Sequence, residues 1–302
     1  MEQKQNPSFL FPNEVSPRYV EPLLLQLQHD RGYSTAQFIG LLHSSGLDVK
    51  GNGIASYNML TWSLAGLGQI EKRGTGLFKK NLFRLTELGK QLIDTYSTNT
   101  GLFYDLIHFL FYSTYRRSGD VQRGRFWLYA SVCDALWQEA PASTDNSTLT
   151  NRLQIECRTA FPDYDPSFSK VSVAGICSWL QALVPPFLSK QGTKSQFYSS
   201  RRSYCTPQLF HLATELVYTT IEGVQYGASL SINEQQIEGI CKACLLDTEH
   251  FWYMVDLTRM TISGYEIRRG QWGTSVALEG PPTWITLPDF SNEKAQDDYE
   301  RV

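Results

Sequence analysis

The chain has 302 residues, of which 42% are hydrophobic and 13% aromatic, and this content is enough to bury the cores of two or three packed domains. The net charge of −3 and the pI near 6.0 exclude a generally basic nucleic-acid coat protein, so any contact with DNA must be local and salt-sensitive. No run approaches the roughly 18 apolar residues of a bilayer span and the N-terminus has no apolar signal region, so we expect a cytoplasmic protein without membrane contact.

Residues 34–96 are predicted to form a helix, a second helix, a hairpin and a capped third helix. Ser34 is a good N-cap for the first helix, which ends at Gly46. The second helix, 54–67, carries four apolar residues at helical spacing, on a face that we expect to be buried: Tyr57, Leu60, Leu64 and Leu67. Strands at 69–72 and 77–85 form a wing, and Thr86 caps the next helix. This order is typical of a winged helix-turn-helix domain, which most often brings a protein to DNA.

The wing is locally basic. Six basic and two acidic residues between Ile70 and Lys90 give this segment a net charge of +4. The candidates for phosphate contact are Lys72, Arg73, Lys79, Lys80 and Arg84. The alternative is that these charges merely hydrate an exposed hairpin.

The second helix, in contrast, has no charged side chain from Ile54 to Leu67. Its outer face is expected to show Ala55, Asn58, Met59 and Trp62. Asn58 is a candidate for an adenine edge and Trp62 for a groove or partner contact, while Lys50 and Asn52 are candidates for phosphate at the helix start. Because no arginine is placed to read guanine, the domain is also compatible with a role in protein interaction.

A helical domain is predicted for residues 98–225. The segment 102–115 is apolar almost all round, which indicates a central buried helix with His108 as a satisfied core histidine. Further helices are expected over 126–139, 151–160, 171–183 and 208–221, with a surface loop at 140–147 and a hairpin or loop at 189–200. A second candidate phosphate-facing patch, which equally fits pairing with acids inside the protein, consists of Arg116, Arg117, Arg123 and Arg125.

The last third repeats the order helix, helix, hairpin. A capping box at 231–234 opens a helix through Leu246, another helix follows through Leu257, and a hairpin covers 265–278. This order predicts a second winged-helix-like module over 226–288, with Arg268, Arg269 and Trp272 at the tip of its small β-hairpin. Residues 289–302 are predicted to be an acidic, flexible tail.

Motifs of catalysis and metal binding are lacking. The sequence has no phosphate-binding loop, no nucleophile elbow and no zinc-protease motif, and Asp163 and Asp165 lie in a proline-rich turn, so we expect no enzyme activity. Cys241 and Cys244 have ligand-like spacing, but no second pair accompanies them, so two core cysteines are favoured over a zinc site. We therefore expect neither a metal nor a cofactor.

The order of elements supports a family resemblance. An N-terminal motif at 9–19, a winged helix that ends on Leu85, Thr86 and Gly89, and an aromatic helix with His108 follow one another. This layout resembles a bacterial family of unassigned function, whose members have a winged-helix N-terminus and often occur beside DNA-phosphorothioation and other phage-defence genes. The resemblance implies a DNA-binding accessory or regulatory protein of a defence system, and it supplies no catalytic residues.

Together these patterns predict a mainly α protein with a winged helix-turn-helix domain (1–97), a helical domain (98–225), a winged-helix-like module (226–288) and an acidic tail (289–302). The predicted function is binding of double-stranded DNA through the basic wing, within a regulatory or genome-defence complex with other proteins. The alternative is a non-catalytic scaffold or adaptor that uses its winged helices for protein contacts, and the sequence leaves a homodimer open.

Overall fold

The structure, a computed structural model, describes residues 8–47, 51–73, 80–192, 196–221, 224–271 and 273–290. The chain is mainly helical with small antiparallel sheets, which confirms the predicted class at that level. The described helices are α1 (Pro17–Leu24), α2 (Thr35–Ser44), α3 (Gly53–Leu64), α4 (Glu87–Thr98), α5 (Thr100–Ser118), α6 (Gly124–Glu139), α7 (Asn146–Ala160), α8 (Lys170–Ala182), α9 (Pro207–Thr219), α10 (Glu234–Cys244) and α11 (Phe251–Thr261). The described strands are β1 (Gly68–Arg73), β2 (Lys80–Leu85), β3 (Ala142–Asp145), β4 (Leu188–Lys190), β5 (Gln196–Ser199), β6 (Leu230–Ile232), β7 (Tyr265–Gly270) and β8 (Gly273–Leu278). No helix in these ranges is long and apolar enough to cross a membrane.

The N-terminal module, residues 17–98, consists of α1 to α4 and the hairpin β1–β2. Ser34 caps α2 in a capping box, in which its hydroxyl accepts the Gln37 N–H and the Gln37 side chain accepts the Ser34 N–H. Tyr33 forms a single antiparallel bridge to Phe83 of β2, so an extended residue before α2 pairs with the second strand of the hairpin. The core rings of Phe38, Trp62 and Phe83 pack edge to face with centroids 5.3 to 6.4 Å apart.

The turn into α4 explains the sequence Leu-Thr-x-x-Gly at 85–89. The Thr86 hydroxyl donates to the Gly66 carbonyl at 2.7 Å and accepts the Gly89 N–H at 3.2 Å, so one side chain caps α4 and ties it to the end of α3. A Cβ on Gly89 would lie 2.1 Å from the Leu67 carbonyl oxygen. Only glycine therefore fits where the hairpin passes into α4.

The face of α3 predicted to be buried is the wrong one. Of the four residues predicted to be buried, only Leu67, beyond the end of α3, is in the core; Tyr57 is 37% exposed, and Leu60 and Leu64 are half-buried. The side predicted to face outward is buried: Ala55, Asn58, Met59 and Trp62. Both sides of this uncharged helix are apolar, and contacts with the N-terminal arm and with α6 bury the second side. The helix itself begins and ends within about a turn of the prediction.

The helical middle is centred on α5, which is buried along most of its length as predicted. His108 is a satisfied core histidine: its Nδ1 lies 3.1 Å from the Tyr129 hydroxyl and its Nε2 lies 3.1 Å from the Ala243 carbonyl. The carbonyl can only accept, so Nε2 carries the proton and Nδ1 accepts from Tyr129. Asp105 and Arg202 form a fully buried ion pair at 2.8 Å beside it.

A three-stranded sheet in the middle was not predicted. Strand β5 pairs with β4, as the hairpin expected at 189–200 requires, but it also pairs with β3, which lies in the segment predicted to be a surface loop. Strand β3 is polar and short, Ala-Ser-Thr-Asp, and carries no alternating apolar pattern by which a strand is recognised. Its partner is about fifty residues away along the chain, so local sequence gives no signal for it.

The C-terminal module, residues 207–278, repeats the order of the N-terminal module from α1 to β2, and no described helix follows its hairpin as α4 follows β2. Helix α9 precedes the extended strand β6, then come α10, α11 and the hairpin β7–β8, and the sheet order is β6-β8-β7. The extended segment thus pairs with the second hairpin strand in both modules. The capping box of α10 lies two residues later than predicted, with Asn233 and Gln236 exchanging the two bonds.

Two segments outside the modules hold the parts together. The N-terminal arm, residues 8–16, inserts Phe9 between Trp127 and Phe161 and Phe11 against Phe111 and Tyr129. The strap, residues 279–290, runs from the end of β8 back to the N-terminal module. Along it, Trp284 donates to His211, the Thr286 N–H donates to Gln91, Pro288 covers Gly66, and Phe290 lies 4.4 Å from the Arg123 guanidinium.

Candidate nucleic-acid interface

The outer end of the hairpin β1–β2 brings the predicted basic residues together. The register places Arg73 directly opposite Lys80 and Lys72 opposite Asn81, so three basic positions lie within two rungs of the ladder. Lys79 falls in 74–79, and Lys50 in 48–50, so these two candidates lie outside the described residues. The concentration of basic residues in sequence is therefore also a concentration in space on the described strands.

Arg84 lies at the inner end of the same hairpin and has partners within the protein. Its Nε donates to the Glu71 carboxylate at 3.1 Å and its Nη1 to the Asp30 carbonyl at 3.0 Å. Asp30 also pairs with Lys90 at 3.1 Å. Arg84 therefore joins the hairpin to the loop before α2, and it is only partly available to a phosphate. In the hairpin register Gln69 is opposite Arg84, so Glu71 is at the diagonal position, within reach of the Arg84 side chain. The pair could therefore be predicted from the sequence once the register of the hairpin is known.

The structure corrects the assignments on α3. Asn58 is fully buried, and its amide donates to the Glu14 and Ile54 carbonyls, both at 2.9 Å, so it is unavailable to a base edge. Trp62 lies in the core of the N-terminal module and is likewise unavailable to a groove or to a partner. Asn52, just before α3, is exposed, and its contact with phosphate stays a prediction.

The arginines of the second predicted patch have partners inside the protein, although Arg116 itself is exposed. Arg116 pairs with the Asp134 carboxylate and lies 4.6 Å from the centre of the Tyr112 ring. Arg123 is buried, pairs with Asp120 at 3.1 Å and stacks on Phe290. Pairing inside the protein, the alternative reading of these two arginines, is what the structure shows.

Arg125 and Arg117 complete this correction. Arg125 is buried against the N-terminal module, where its Nη1 donates to the Thr61 hydroxyl at 2.8 Å, and burial lowers the pKa of its guanidinium to about 10. Arg117 packs 5.7 Å from the Phe290 ring, and burial lowers its pKa as well. Both side chains link parts of the fold, and no local sequence signal separates them from surface arginines.

The second hairpin keeps its two arginines near the surface. Arg268 is largely exposed and pairs with Glu266 at 2.6 Å, and Arg269 lies 5.7 Å from the centre of the Trp252 ring. Trp272 falls outside the described residues. Both arginines therefore have neighbours on the same module.

The cysteines are free, and all six are buried. Cys241 and Cys244 lie in the core, as predicted, and burial raises the pKa of both thiols. Across the described ranges no group of three or more His, Cys, Asp or Glu side chains is arranged to hold a metal ion. Asp163 and Asp165 are both exposed in the turn between α7 and α8.

Comparison with known proteins identifies a shared fold. No family model matches the sequence, and no curated protein matches it either. Among solved structures, a crystal structure of SspB matches with a TM-score of 0.53 at 14% identity, covering 91% of this chain and 81% of the other. A magnesium ion-bound crystal structure of SspB matches with a TM-score of 0.55 at 13% identity and the same coverage. The chain thus has an SspB-like fold over nearly its whole length.

Proposed function

We propose that this chain is a non-catalytic, DNA-binding accessory or regulatory protein of a bacterial genome-defence system. In this proposal the N-terminal module is a winged helix-turn-helix, and the hairpin β1–β2 is the wing that binds duplex phosphate. The observation that carries the proposal is the register of that hairpin, which sets Arg73 opposite Lys80 with Lys72 beside them. The element order around the hairpin supports the same conclusion.

The contact is electrostatic and independent of base sequence. The face of α3 that the fold leaves accessible centres on Tyr57 and carries no charged side chain, so it offers no arginine to guanine. Phosphate contacts position a protein on the duplex without reading its sequence. Because the whole chain has a net charge of −3, repulsion elsewhere makes the binding depend strongly on these few residues and on salt.

The assignment to genome defence has two supports. The motif at 9–19 and the layout that follows resemble a family found beside DNA-phosphorothioation and phage-defence genes. The likeness to the SspB structure extends over 91% of the chain, so it covers the N-terminal module and the helical middle together, as the layout of that family requires. The N-terminal arm shows why its motif and the helical middle belong together, since Phe9 and Phe11 are buried in that middle.

Duplex binding by fluorescence anisotropy across a salt series tests the proposal. The variant K72A/R73A/K80A is compared with the control R158A/K170A/K190A. The control removes three exposed positive charges from the helical middle and has the same net charge as the wing variant. Each phosphate contact contributes about 0.9 to the slope of log affinity against log salt. We expect the wing variant to flatten the slope by about 2 to 3 on this scale, and the control to retain the native slope. Equal slopes for the two variants would contradict the wing assignment.

A protein scaffold is the second candidate, and the uncharged accessible face of α3 favours it. An adaptor of this kind would show no affinity for duplex DNA even at low salt. With that result we would assign a protein partner, and not DNA, to the N-terminal module, and the partner would contact the face of α3 around Tyr57.

A further inference from the structure

Helix α11 has an apolar stripe on its solvent side. Met260 is 81% exposed and Tyr253 is 56% exposed, and half-buried Leu257 lies between them at helical spacing. The opposite side of the helix is buried in the C-terminal module. Since the three residues lie at i, i+4 and i+7, they form one continuous face in water, and a helix in a module of this size ordinarily presents polar residues there.

Two opposite charges flank this stripe. Asp256 and Arg259 are both exposed, and within the described ranges neither forms an ion pair. A separation of three residues sets them on the same flank of the helix, one turn apart. The face therefore offers one acid and one base along a common edge of an apolar stripe.

We propose that this face of α11 is an interface between two copies of the chain, which pair antiparallel about a two-fold axis. Reversing the second helix brings Tyr253 of one copy opposite Met260 of the other, a favourable sulfur–aromatic contact. The same rotation keeps both charged flanks on one side and brings Asp256 of each copy within reach of Arg259 of the other. Each ion pair then occurs twice, as an isologous interface requires.

The composition of the face favours a second copy over duplex DNA. On α11 itself one acid and one base flank an apolar stripe, so the helix contributes no excess of positive charge for phosphate, although Arg269 of β7 lies over Trp252 on the same flank. The exposed aromatic and methionine side chains are of the types enriched in protein interfaces. The helix has 11 residues and is about 16 Å long, so its contact is smaller than the ~800 Å² per partner of a standard interface. We therefore expect a weak dimer that forms at high protein concentration.

Sedimentation equilibrium over a wide range of protein concentration tests this interface. The variants are D256R, R259D and M260E, and the controls are R158D and I155E, which change an exposed arginine and an exposed isoleucine on α7. We expect each of the first three to raise the dimer dissociation constant at least about tenfold, a loss of ~1.4 kcal/mol. The controls should leave the constant at its native value.

Mixing the two charge variants gives the decisive result. D256R carries two bases on the flank and R259D carries two acids, so each repels its own copy but complements the other. We expect neither to dimerise alone and the equimolar mixture to form a heterodimer, with the double variant D256R/R259D restored to native affinity. A native chain that stays monomeric at every concentration would overturn the proposal. So would single variants that dimerise normally, or an R259D variant whose only defect is weaker duplex binding.

Discussion

The contact between Thr61 and Arg125 allows a quantitative test of how the N-terminal module is joined to the helical middle. The Arg125 guanidinium is buried, it is the donor to the Thr61 hydroxyl at 2.8 Å, and its Nε has no partner among the described residues. Removing the hydroxyl by Thr61→Val leaves a buried cation without that acceptor. Replacing Arg125 by Met removes the cation itself while keeping its length.

The magnitudes follow from the structure. Burial lowers the pKa of Arg125 from its ordinary value of 12.5 to about 10, so the buried charged form carries a penalty of roughly 3 kcal/mol at 1.36 kcal/mol per pKa unit. A hydrogen bond to a charged group contributes about 1.5–3 kcal/mol. We therefore expect T61V to destabilise the protein by ~2 kcal/mol and R125M to change its stability by less than ~1 kcal/mol, because the lost bond and the relieved burial offset each other.

Urea unfolding of the native chain, both single variants and the double variant completes a double-mutant cycle. Once Arg125 is absent, the Thr61 hydroxyl has nothing to stabilise, so T61V should have little effect in the R125M background. The coupling free energy should be ~2 kcal/mol. Additive effects of the two substitutions would refute the assignment, and so would a loss of salt-dependent duplex binding in R125M equal to that of the wing variant.

Two further predictions concern the N-terminal module and the strap. G89A should lose about 1–3 kcal/mol of stability, because its Cβ would lie 2.1 Å from the Leu67 carbonyl oxygen. G40A is the control: a Cβ on Gly40 has no atom within 4 Å, so this variant should gain about 0.5–1 kcal/mol from its higher helix propensity. Thermal melts of the two variants and the native chain measure both changes. Burial lowers the pKa of His211 from 6.5 to about 4, so the unfolded chain binds the extra proton and stability is lost as the pH falls through that window, by roughly 3 kcal/mol in full. H211N retains an acceptor for the Trp284 N–H, and its urea midpoint should depend less on pH between 6.5 and 4 than that of the native chain. An unchanged dependence of the midpoint on pH would assign the loss of stability in acid to other groups.

The fold was predictable where local signals agree. The positions of α2, α5 and α8 follow from caps and apolar spacing, and the structure places them within a few residues of the prediction. The face of α3 was not predictable, because both of its sides are apolar and only tertiary contacts select Trp62 over Tyr57. Helix α1 was missed because Pro17 and Pro22 lie within it, one at its first position and one in its interior.

The candidate site divides in the same way. Clustering of Lys72, Arg73 and Lys80 at a hairpin end follows from strand pairing between neighbours in sequence, and it could be predicted. The burial of Arg123 and Arg125 depends on residues more than fifty positions away, Phe290 and Thr61, and no local pattern reports such contacts. Counting basic residues therefore located the hairpin, but it placed the buried arginines wrongly, because a local charge count carries no information about the segments that pack over a side chain.

Because of the N-terminal arm and the strap, the N-terminal module acquires its last packing contacts late in synthesis. The arm needs α5 and α6 to bury Phe9 and Phe11, and the turn after α3 is covered at Gly66 by Pro288. The hairpin β1–β2 leaves the ribosome early, but the support behind it is complete only when residue 290 has emerged. We therefore expect a fragment that stops before the strap to lack this cover on the N-terminal module, so binding assays need the whole chain.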